Sequence, residues 1–75
     1  MDFGEALGWA KAGKPIQRAG WNGKGMFVFL ISVWTWPKQD YPTLPFLAMK
    51  TADHKVVPWL ISQTDALAED YSIVE

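Results

Sequence analysis

The chain contains no cysteine and a single histidine, and these two shortages remove several classes of function. Without cysteine there is no disulfide to reinforce a small core and no thiolate ligand or nucleophile. His54 lies beside Asp53 in a predicted turn, where a catalytic base would have no rigid surround. One histidine among scattered carboxylates also gives no metal-ligand spacing, so neither a metal nor a cofactor is expected. The sequence therefore predicts that the protein is not an enzyme.

An excess of charge of one sign is also missing, because the formal net charge is −1. A chain with this balance is not expected to bind DNA or RNA as a basic domain does. Four early cations nevertheless have no acid between them, and the C-terminal end is acidic; the cations are Lys11, Lys14, Arg18 and Lys24. They fit either ordinary surface with pairing between chains or a small basic patch for one or two phosphates. Glu69 and Asp70 are expected to cap and solvate the last helix, since adjacent helix positions point about 100° apart.

No apolar run is long enough to cross a bilayer as a helix, the longest being Met26 to Trp34. Met1 is followed by an acidic segment, unlike a signal peptide, so a cytoplasmic protein without membrane contact is expected. Apolar surface, in contrast, is abundant: 49% of the residues are hydrophobic and five are tryptophan. A chain this short buries only about 60% of its unfolded surface. Association with further copies would cover the excess, which predicts a homo-oligomer.

The hydrophobic pattern predicts one α+β domain over residues 1–75. Residues 2–13 form the predicted N-terminal helix, with Asp2 as N-cap, Glu5 in a capping box and Gly13 as the left-handed residue. An antiparallel sheet of about five strands is predicted at 15–21, 26–33, 46–51, 55–61 and 71–75. A short helix at 65–70 precedes the last strand, and either Ser62 or Thr64 caps it.

The sequence also indicates how this sheet is covered. The strand at 26–33 is apolar on both faces, and one short helix covers only one of them. The other face requires a different partner, for which a sister subunit is the simplest choice. Prolines among the aromatics of 34–45 predict a loop there, because proline does not fit a central strand. Pro58 predicts an edge position or a bulge for its own strand.

Two tryptophans stand next to polar groups that suit a nucleotide. Trp21 precedes the turn 22–25, and Trp59 precedes the cap at 62–65. Each tryptophan is either core or a stacking platform for a base, the latter worth about 1–3 kcal/mol per contact. The glycine turn is either a tight hairpin turn or a place where backbone amides and Lys24 approach an anion. The residues alone leave both interpretations open.

Five segments occur in an order that is specific: FGEAL, GWNGKGMF, MKTAD, VPWLISQTD and AEDY. In these segments the chain resembles the phage Thoeris anti-defence proteins of the second type, over nearly its whole length outside residues 32–46. The resemblance implies a small oligomer, with a tetramer expected. It also implies sequestration of a cyclic nucleotide signal of the glycocyclic ADP-ribose type, without degradation. Some relatives take up cyclic di- or trinucleotides at separate sites. This chain departs from the family at 34–45, which is shorter and unusually aromatic.

The resemblance implies ligand-binding roles for residues of three motifs. GWNGKG contributes Trp21, Asn22, Gly23, Lys24 and Gly25; PWxxSQTD contributes Trp59, Gln63, Thr64 and Asp65; MKTAD contributes Thr51 and Asp53 as further candidates. The first two motifs are expected to line a pocket across a subunit boundary, with the tryptophans against adenine or ribose. Two alternatives come from other classes: a protein–protein adaptor or structural subunit with aromatic anchors, and a hydrolase that destroys the signal.

Overall fold

The computed structural model describes all 75 residues as two helices and five strands. The helices are α1 (Phe3–Lys11) and α2 (Gln63–Leu67), and the strands are β1 (Ile16–Arg18), β2 (Phe27–Thr35), β3 (Asp40–Lys50), β4 (Val56–Pro58) and β5 (Tyr71–Ile73). The strands form one antiparallel sheet in the order β4-β3-β2-β1-β5. The predicted α+β class, with a short helix before the last of five strands, is confirmed. Neither helix has the length and apolar character needed to span a membrane.

Helix α1 begins after the predicted cap, Asp2, and ends before the predicted left-handed residue, Gly13, but the Glu5 carboxylate does not return the second hydrogen bond of the predicted capping box. The Asp2 carboxylate accepts a hydrogen bond from the Glu5 amide at 2.9 Å, which satisfies one of the free N–H groups of the first turn. Gly13 has a φ of 92°, and the amide of Lys14 donates to the Trp9 carbonyl at 3.0 Å. This left-handed ending satisfies the last carbonyls. Ala6 and Ala10 are buried between the helix and the sheet, and their small side chains allow a close approach.

Strand β1 lies inside the sheet, but its two sides are paired unequally. It forms three residue pairs with β5 and only one, Ile16↔Val28, with β2. After Arg18 the chain leaves the sheet and returns only at Phe27. The connection that contains the glycine turn is therefore long, and the alternative of a tight hairpin turn at 22–25 is wrong. It is wrong because a two-residue hairpin turn requires flanking strands that stay paired up to the turn.

The β2–β3 hairpin extends beyond the other strands, and its outer part, residues 32–45, is termed the arm. The predicted loop at 34–45 is wrong, since β2 continues to Thr35 and pairs there with Asp40, the first residue of β3. Prolines are tolerated in the arm because β4 reaches only as far as Ala48, which leaves the adjoining edge of β3 free. The strand with Pro58 is an edge strand, as predicted.

A bulge forms the base of the arm. Ile31 pairs with Phe46 but Val33 pairs with Pro42, so residues 43–45 lie opposite Ser32 alone. Extra residues on one strand bend it and disrupt the local ladder. Pro45 lies in this irregular stretch, where a missing N–H donor costs little. The prolines therefore do not end the strands: Pro45 lies in the bulge, and Pro42 is paired with Val33 within the ladder.

The two faces of the sheet have different surroundings. Helix α1 covers one face, termed the covered face, where Ile16, Val28 and Tyr71 join its two alanines in the core. The other, the open face, has no element of the chain packed over it. It contains a cavity of about 730 Å³ between the arm and β4, lined mainly by apolar side chains such as Phe29, Ile31 and Phe46. The predictions that β2 is apolar on both sides and that the helix covers only one are confirmed.

Candidate functional site

Four aromatic side chains from distant parts of the chain meet beside α2. The ring of Trp21 lies 6.2 Å from that of Trp59 and 6.3 Å from that of Tyr71, with interplanar angles of 72° and 86°. Phe3 contacts Trp59 and Tyr71 at centroid distances of 6.0 and 5.6 Å. These tilted and edge-to-face arrangements are favourable for aromatic rings. Both tryptophans are half-buried, so the motifs GWNGKG and PWLISQTD meet at the rim of the core.

Asp65 is the polar centre of this cluster. Its Oδ1 atom accepts hydrogen bonds from Trp21 Nε1 at 3.0 Å and from Arg18 Nη1 at 2.6 Å. Its amide donates to Ser62 Oγ at 3.0 Å, and its carbonyl accepts from the Tyr71 hydroxyl at 2.7 Å. Ser62 is therefore the cap, one of the two predicted residues. The helix occupies 63–67 instead of 65–70, because this cap sets its start and Ala68 is already extended.

Arg18 connects Asp65 to a second carboxylate, Asp70. Its Nε atom donates to Asp70 Oδ1 at 2.7 Å, and the amide of Gly20 donates to Asp70 Oδ2 at 2.8 Å. The side chain of Arg18 is only 14% exposed, and that of Asp65 only 16%. The expectation that Asp70 caps and solvates the last helix is wrong, because α2 ends at Leu67 and Asp70 faces Arg18. The early cations and the late acids thus pair within one chain at Arg18.

The hydrogen bonds of this network set the ionisation of its members. The bond from Arg18 is the main cause that lowers the pKa of Asp70. Burial acts to raise the pKa of Asp65, but bonds from Trp21, Arg18 and Ser62 outweigh it, and the net pKa is lowered. Bonds to Asp70 and Asp65 raise the pKa of Arg18. Both carboxylates are therefore ionised at neutral pH, and their stabilising contribution is lost as pH falls through these lowered values, below about 4.

The glycine turn is held by close packing. A Cβ atom on Gly23 would lie 2.4 Å from Met26 Sδ and 2.8 Å from Ala52 Cβ, so no larger residue fits there without a shift. Gly25 has a φ of 73°, and its carbonyl accepts a hydrogen bond from Lys50 Nζ at 2.7 Å. The side chains of Asn22 and Lys24 are exposed. Gly23 and Gly25 thus have a structural role in the backbone of the turn, whereas the Asn22 amide and the Lys24 ammonium are exposed to solvent.

Thr51 and Asp53 close the β3–β4 turn. Thr51 Oγ1 accepts from the Lys55 amide at 3.1 Å and also hydrogen-bonds the Asp53 carboxylate. His54, at the tip, has a φ of 64°. Ala52 packs against Gly23, which joins this turn to the glycine turn. The two candidates from MKTAD are therefore bonded to each other and do not hydrogen-bond the Trp21–Asp65 cluster.

The predicted site residues consequently fall into two groups. Trp21, Trp59 and Asp65 are in mutual contact, with Gln63 and Thr64 exposed beside Asp65 on the first turn of α2. The glycine turn and the Thr51–Asp53 turn form the second group. None of the predicted residues lines the cavity on the open face, which is apolar and lies on another side of the sheet. No group of three histidine, cysteine or carboxylate side chains is placed to hold a metal ion.

Sequence reasoning named Arg18 only as part of a basic patch and Asp70 only as a helix cap, and it did not identify Tyr71 as a site residue. Arg18 is close to Trp21 in the sequence, and Asp70 and Tyr71 lie in the matched segment AEDY, but the resemblance assigned none of them a ligand-binding role. The only signal was the separation of early cations from late acids, which is the pattern expected when the two ends of a chain pair. Burial raises the pKa of the Tyr71 hydroxyl to about 12, and the nearby Asp65 carboxylate adds to this effect.

Two comparisons with known proteins agree. The model of the Tad2-like family, described as a Thoeris anti-defense 2-like domain, matches residues 1–74. A curated relative, Thoeris anti-defense 2 of Bacillus phage SP01, is 44% identical over 84 residues, which cover 99% of this chain and 94% of the relative. The aligned region is longer than this chain, so the relative contains additional residues. This chain belongs to the Thoeris anti-defence 2-like family of anti-defence domains.

Proposed function

We propose that this protein is a phage anti-defence protein that binds a cyclic ADP-ribose-type signalling nucleotide in the host cytoplasm and sequesters it intact. The observation that supports this function is the junction of two motifs in one surface, where Trp21 contacts both Trp59 and Asp65. Aromatic rings pack against a base, and a carboxylate accepts hydrogen bonds from ribose hydroxyls. A half-buried aromatic pair beside an ionised carboxylate therefore suits the nucleoside part of such a ligand.

The charges give the ligand an orientation. Arg18 is paired with two carboxylates, so the cluster of these three residues has a net charge of −1 and repels phosphate. Lys24 is exposed on the glycine turn that follows Trp21. We therefore place the ribose hydroxyls towards Asp65 and the phosphates towards Lys24. Lys24→Gln should weaken binding of a diphosphate-containing ligand, and more so at low salt, because an exposed charge is screened at high ionic strength.

A second copy of the chain would complete the pocket. Tight small-molecule sites enclose most of the ligand surface, whereas the Trp21–Asp65 cluster lies on an outer surface of the single chain. On the other side of the sheet, the open face exposes apolar side chains, including Val33, which is 53% exposed, and would form a separate contact between copies. Burial of this face in a homo-oligomer, with a tetramer expected, would remove it from water.

Ultracentrifugation tests the assembly directly. Ile31→Lys places a charge at the centre of the open face and should reduce the mass of the particle. Ser32→Lys, at the exposed neighbouring position, is the matched control and should retain the mass. A wild-type chain that remains monomeric at high concentration would refute the oligomer.

An assay that identifies the released ligand distinguishes sequestration from hydrolysis. The protein is loaded with glycocyclic ADP-ribose, freed of excess ligand and denatured, and the released compound is identified by chromatography and mass spectrometry. Intact ligand in stoichiometric amount supports a sponge. Hydrolysed ligand, or turnover beyond one equivalent, contradicts it and favours an enzyme.

The tryptophans provide the residue-level test. Trp21→Ala and Trp59→Ala should each weaken binding by about 5- to 150-fold, which corresponds to the loss of one base-stacking contact. Trp36→Ala is the control, since Trp36 is 67% exposed on the arm and outside the matched motifs. Thermal midpoints are measured in parallel, because both tested tryptophans also pack against the core. Unchanged dissociation constants in both variants would refute the pocket.

The arm favours a second candidate function, that of a protein–protein adaptor. Trp34, Trp36 and Tyr41 are exposed there, and tryptophan and tyrosine are common anchors of interfaces. An adaptor would show no shift of its thermal midpoint with glycocyclic ADP-ribose or with cyclic di- and trinucleotides. It would form a stable complex with a partner protein, and Trp36→Ala would weaken that complex. A shift with a cyclic di- or trinucleotide alone would keep the sponge and change its ligand.

A further inference from the structure

Arg18 contacts Asp65, and Asp70 contacts both Arg18 and the amide of Gly20, but neither Arg18 nor Asp70 belongs to the two pocket motifs. We propose that they are positioning residues for nucleotide capture, which fix the Asp65 carboxylate and, through it, the indole of Trp21 relative to the sheet. This inference rests on the proposed function, since the surface that they would position is the proposed capture surface. Neither residue is expected to touch the ligand.

The first step of the argument is the anchoring of Arg18 itself. It is the last residue of β1 and lies opposite Tyr71 of β5 in the sheet. Its guanidinium is almost enclosed and donates through Nε and Nη2 to Asp70 and through Nη1 to Asp65. A planar guanidinium held by two carboxylates has little freedom to rotate. Its position is therefore determined by its place at the end of β1 and by the two carboxylates, of which Asp65 belongs to a motif and Asp70 does not.

The second step concerns the different hydrogen-bonding roles of the two oxygens of Asp65. Oδ1 accepts from both Arg18 and Trp21, at 2.6 and 3.0 Å. Neither Arg18 nor Trp21 bonds Oδ2. Arg18 thus holds the carboxylate by one oxygen, which also orients the indole, and leaves the other oxygen for a ligand hydroxyl. An Asp65 side chain without Arg18 would be free to turn both oxygens elsewhere.

The third step concerns the backbone that leads into Trp21. Asp70 accepts from the Gly20 amide, and the amide of Ala19 donates to the Asp70 carbonyl at 3.2 Å. A Cβ atom on Gly20 would lie 3.0 Å from Arg18 Nη2 and 3.1 Å from Asp70 Oδ2. The bare glycine therefore lets the ion pair pack directly against the chain just before Trp21. The indole is fixed at its ring through Asp65 and at its backbone through Asp70.

The chemistry of the cluster requires arginine. Two carboxylates close to each other repel, and the cation between them must reach both in one plane. Arginine presents five N–H donors in a rigid fork, whereas the ammonium of lysine is a compact point charge. Lysine at position 18 would keep the charge but could not hold Asp65 and Asp70 with the same geometry. Arg18→Lys therefore separates positioning from charge.

The experiment combines ligand affinity with a spectroscopic probe of the indole. Wild type, Arg18→Lys and Asp70→Asn are labelled with ¹⁵N, and the Nε1–H signal of Trp21 is followed together with its hydrogen-exchange rate. Dissociation constants for glycocyclic ADP-ribose are measured well below each thermal midpoint. We expect Arg18→Lys to weaken binding at least tenfold and Asp70→Asn about threefold to tenfold. Both should shift the Trp21 signal and accelerate its exchange.

Val28→Ala is the matched control for a general loss of stability. Val28 is fully buried in the core but makes no hydrogen bond to the cluster, so it should lower the midpoint and leave the dissociation constant within twofold. Unchanged affinity and an unchanged Trp21 signal in both cluster variants would overturn the inference. If Arg18→Lys does not fold, Asp70→Asn decides the question. A wild type that binds no nucleotide refutes the proposed function instead, and the indole signal still shows whether Arg18 and Asp70 orient Trp21.

Discussion

The two faces of the sheet have similar composition but opposite surroundings. On the covered face, Ile16 and Val28 are 0% exposed beneath α1. On the open face, Val33 and Val56 are more than half exposed. A single strand, β2, contributes apolar side chains to both. The comparison shows that hydrophobicity along a strand indicates which side chains seek burial, whereas the rest of the chain determines which of them it can bury itself.

Matched isoleucines test this contrast most strongly. Ile16→Ala removes a fully buried side chain and should lower the free energy of unfolding by about 2–5 kcal/mol. Ile31→Ala, on the open face, should cost much less in a dilute chain, about 1 kcal/mol, because part of its surface is already hydrated. Urea denaturation at low protein concentration measures both values. If a second copy covers the open face, the loss for Ile31→Ala should grow with protein concentration. Equal losses at low concentration would contradict the description of the two faces.

The pH dependence caused by Tyr71 provides a second test of burial on the covered face. The folded protein raises the pKa of Tyr71 from an ordinary value near 10 to about 12, mainly by burial. The unfolded chain therefore releases this proton at lower pH, and stability that is present below pH 10 is lost as the pH rises towards 12. The expected loss is about 2–3 kcal/mol. Tyr71→Phe should remove this part of the alkaline dependence while losing the hydrogen bond to the Asp65 carbonyl, worth about 0.5–1.5 kcal/mol.

The exposed Tyr41 provides the control for that experiment. Tyr41→Phe removes a phenol from the arm and should retain the alkaline loss of the wild type. Denaturation curves at pH 9, 10 and 11 distinguish the two variants. The same pH dependence in Tyr71→Phe and wild type would show that another group causes it.

The cap of α2 should have a smaller effect. Ser62→Ala removes the acceptor for the Asp65 amide and should cost about 1 kcal/mol. Thr64→Ala, the other residue that the sequence allowed as a cap, should change stability by less than about 0.5 kcal/mol, since its side chain is exposed. Thermal or urea denaturation measures both. A larger loss of stability for Thr64→Ala than for Ser62→Ala would show that Ser62 is not the cap.

The smallest effect is expected on the arm. Leu44 is 89% exposed in the bulged part of β3, so Leu44→Ser should change the stability of the dilute chain by less than about 0.5 kcal/mol. A loss above 1 kcal/mol would show that the arm is covered by something in solution. The same variant compared at high protein concentration indicates whether the arm contributes to assembly.

Local signals in the sequence were sufficient for the elements whose causes are local. Asp2 and Ser62 cap helices through side-chain oxygens that accept nearby amides, and Gly13 ends α1 because it adopts positive φ. Pro58 indicated an edge strand for the same kind of reason, since proline cannot donate to a ladder. In each case one residue and its near neighbours determine the outcome.

The errors concern features that depend on distant parts of the chain. The prolines of the arm predicted a loop, because the sequence does not show that β4 is short and leaves one edge of β3 free. The glycine turn suggested a hairpin, because the early end of β1 pairing is a property of the whole sheet. Arg18 meets Asp65 and Asp70 from 47 and 52 positions away, and no spacing rule predicts such a contact.

The single residue pair between β1 and β2 has a mechanical consequence. It divides the sheet into a three-stranded meander, β2 to β4, and a two-stranded ribbon, β1 with β5. Helix α1 contacts strands on both sides of this boundary, termed the seam, and so holds the two parts together. Such a seam is where a small domain opens first, and amide exchange should be fastest on either side of it. Trp21 follows the ribbon and Trp59 follows the meander. A molecule that contacts both rings would therefore bridge the two parts of the sheet, as α1 does, and would slow the opening of the whole domain.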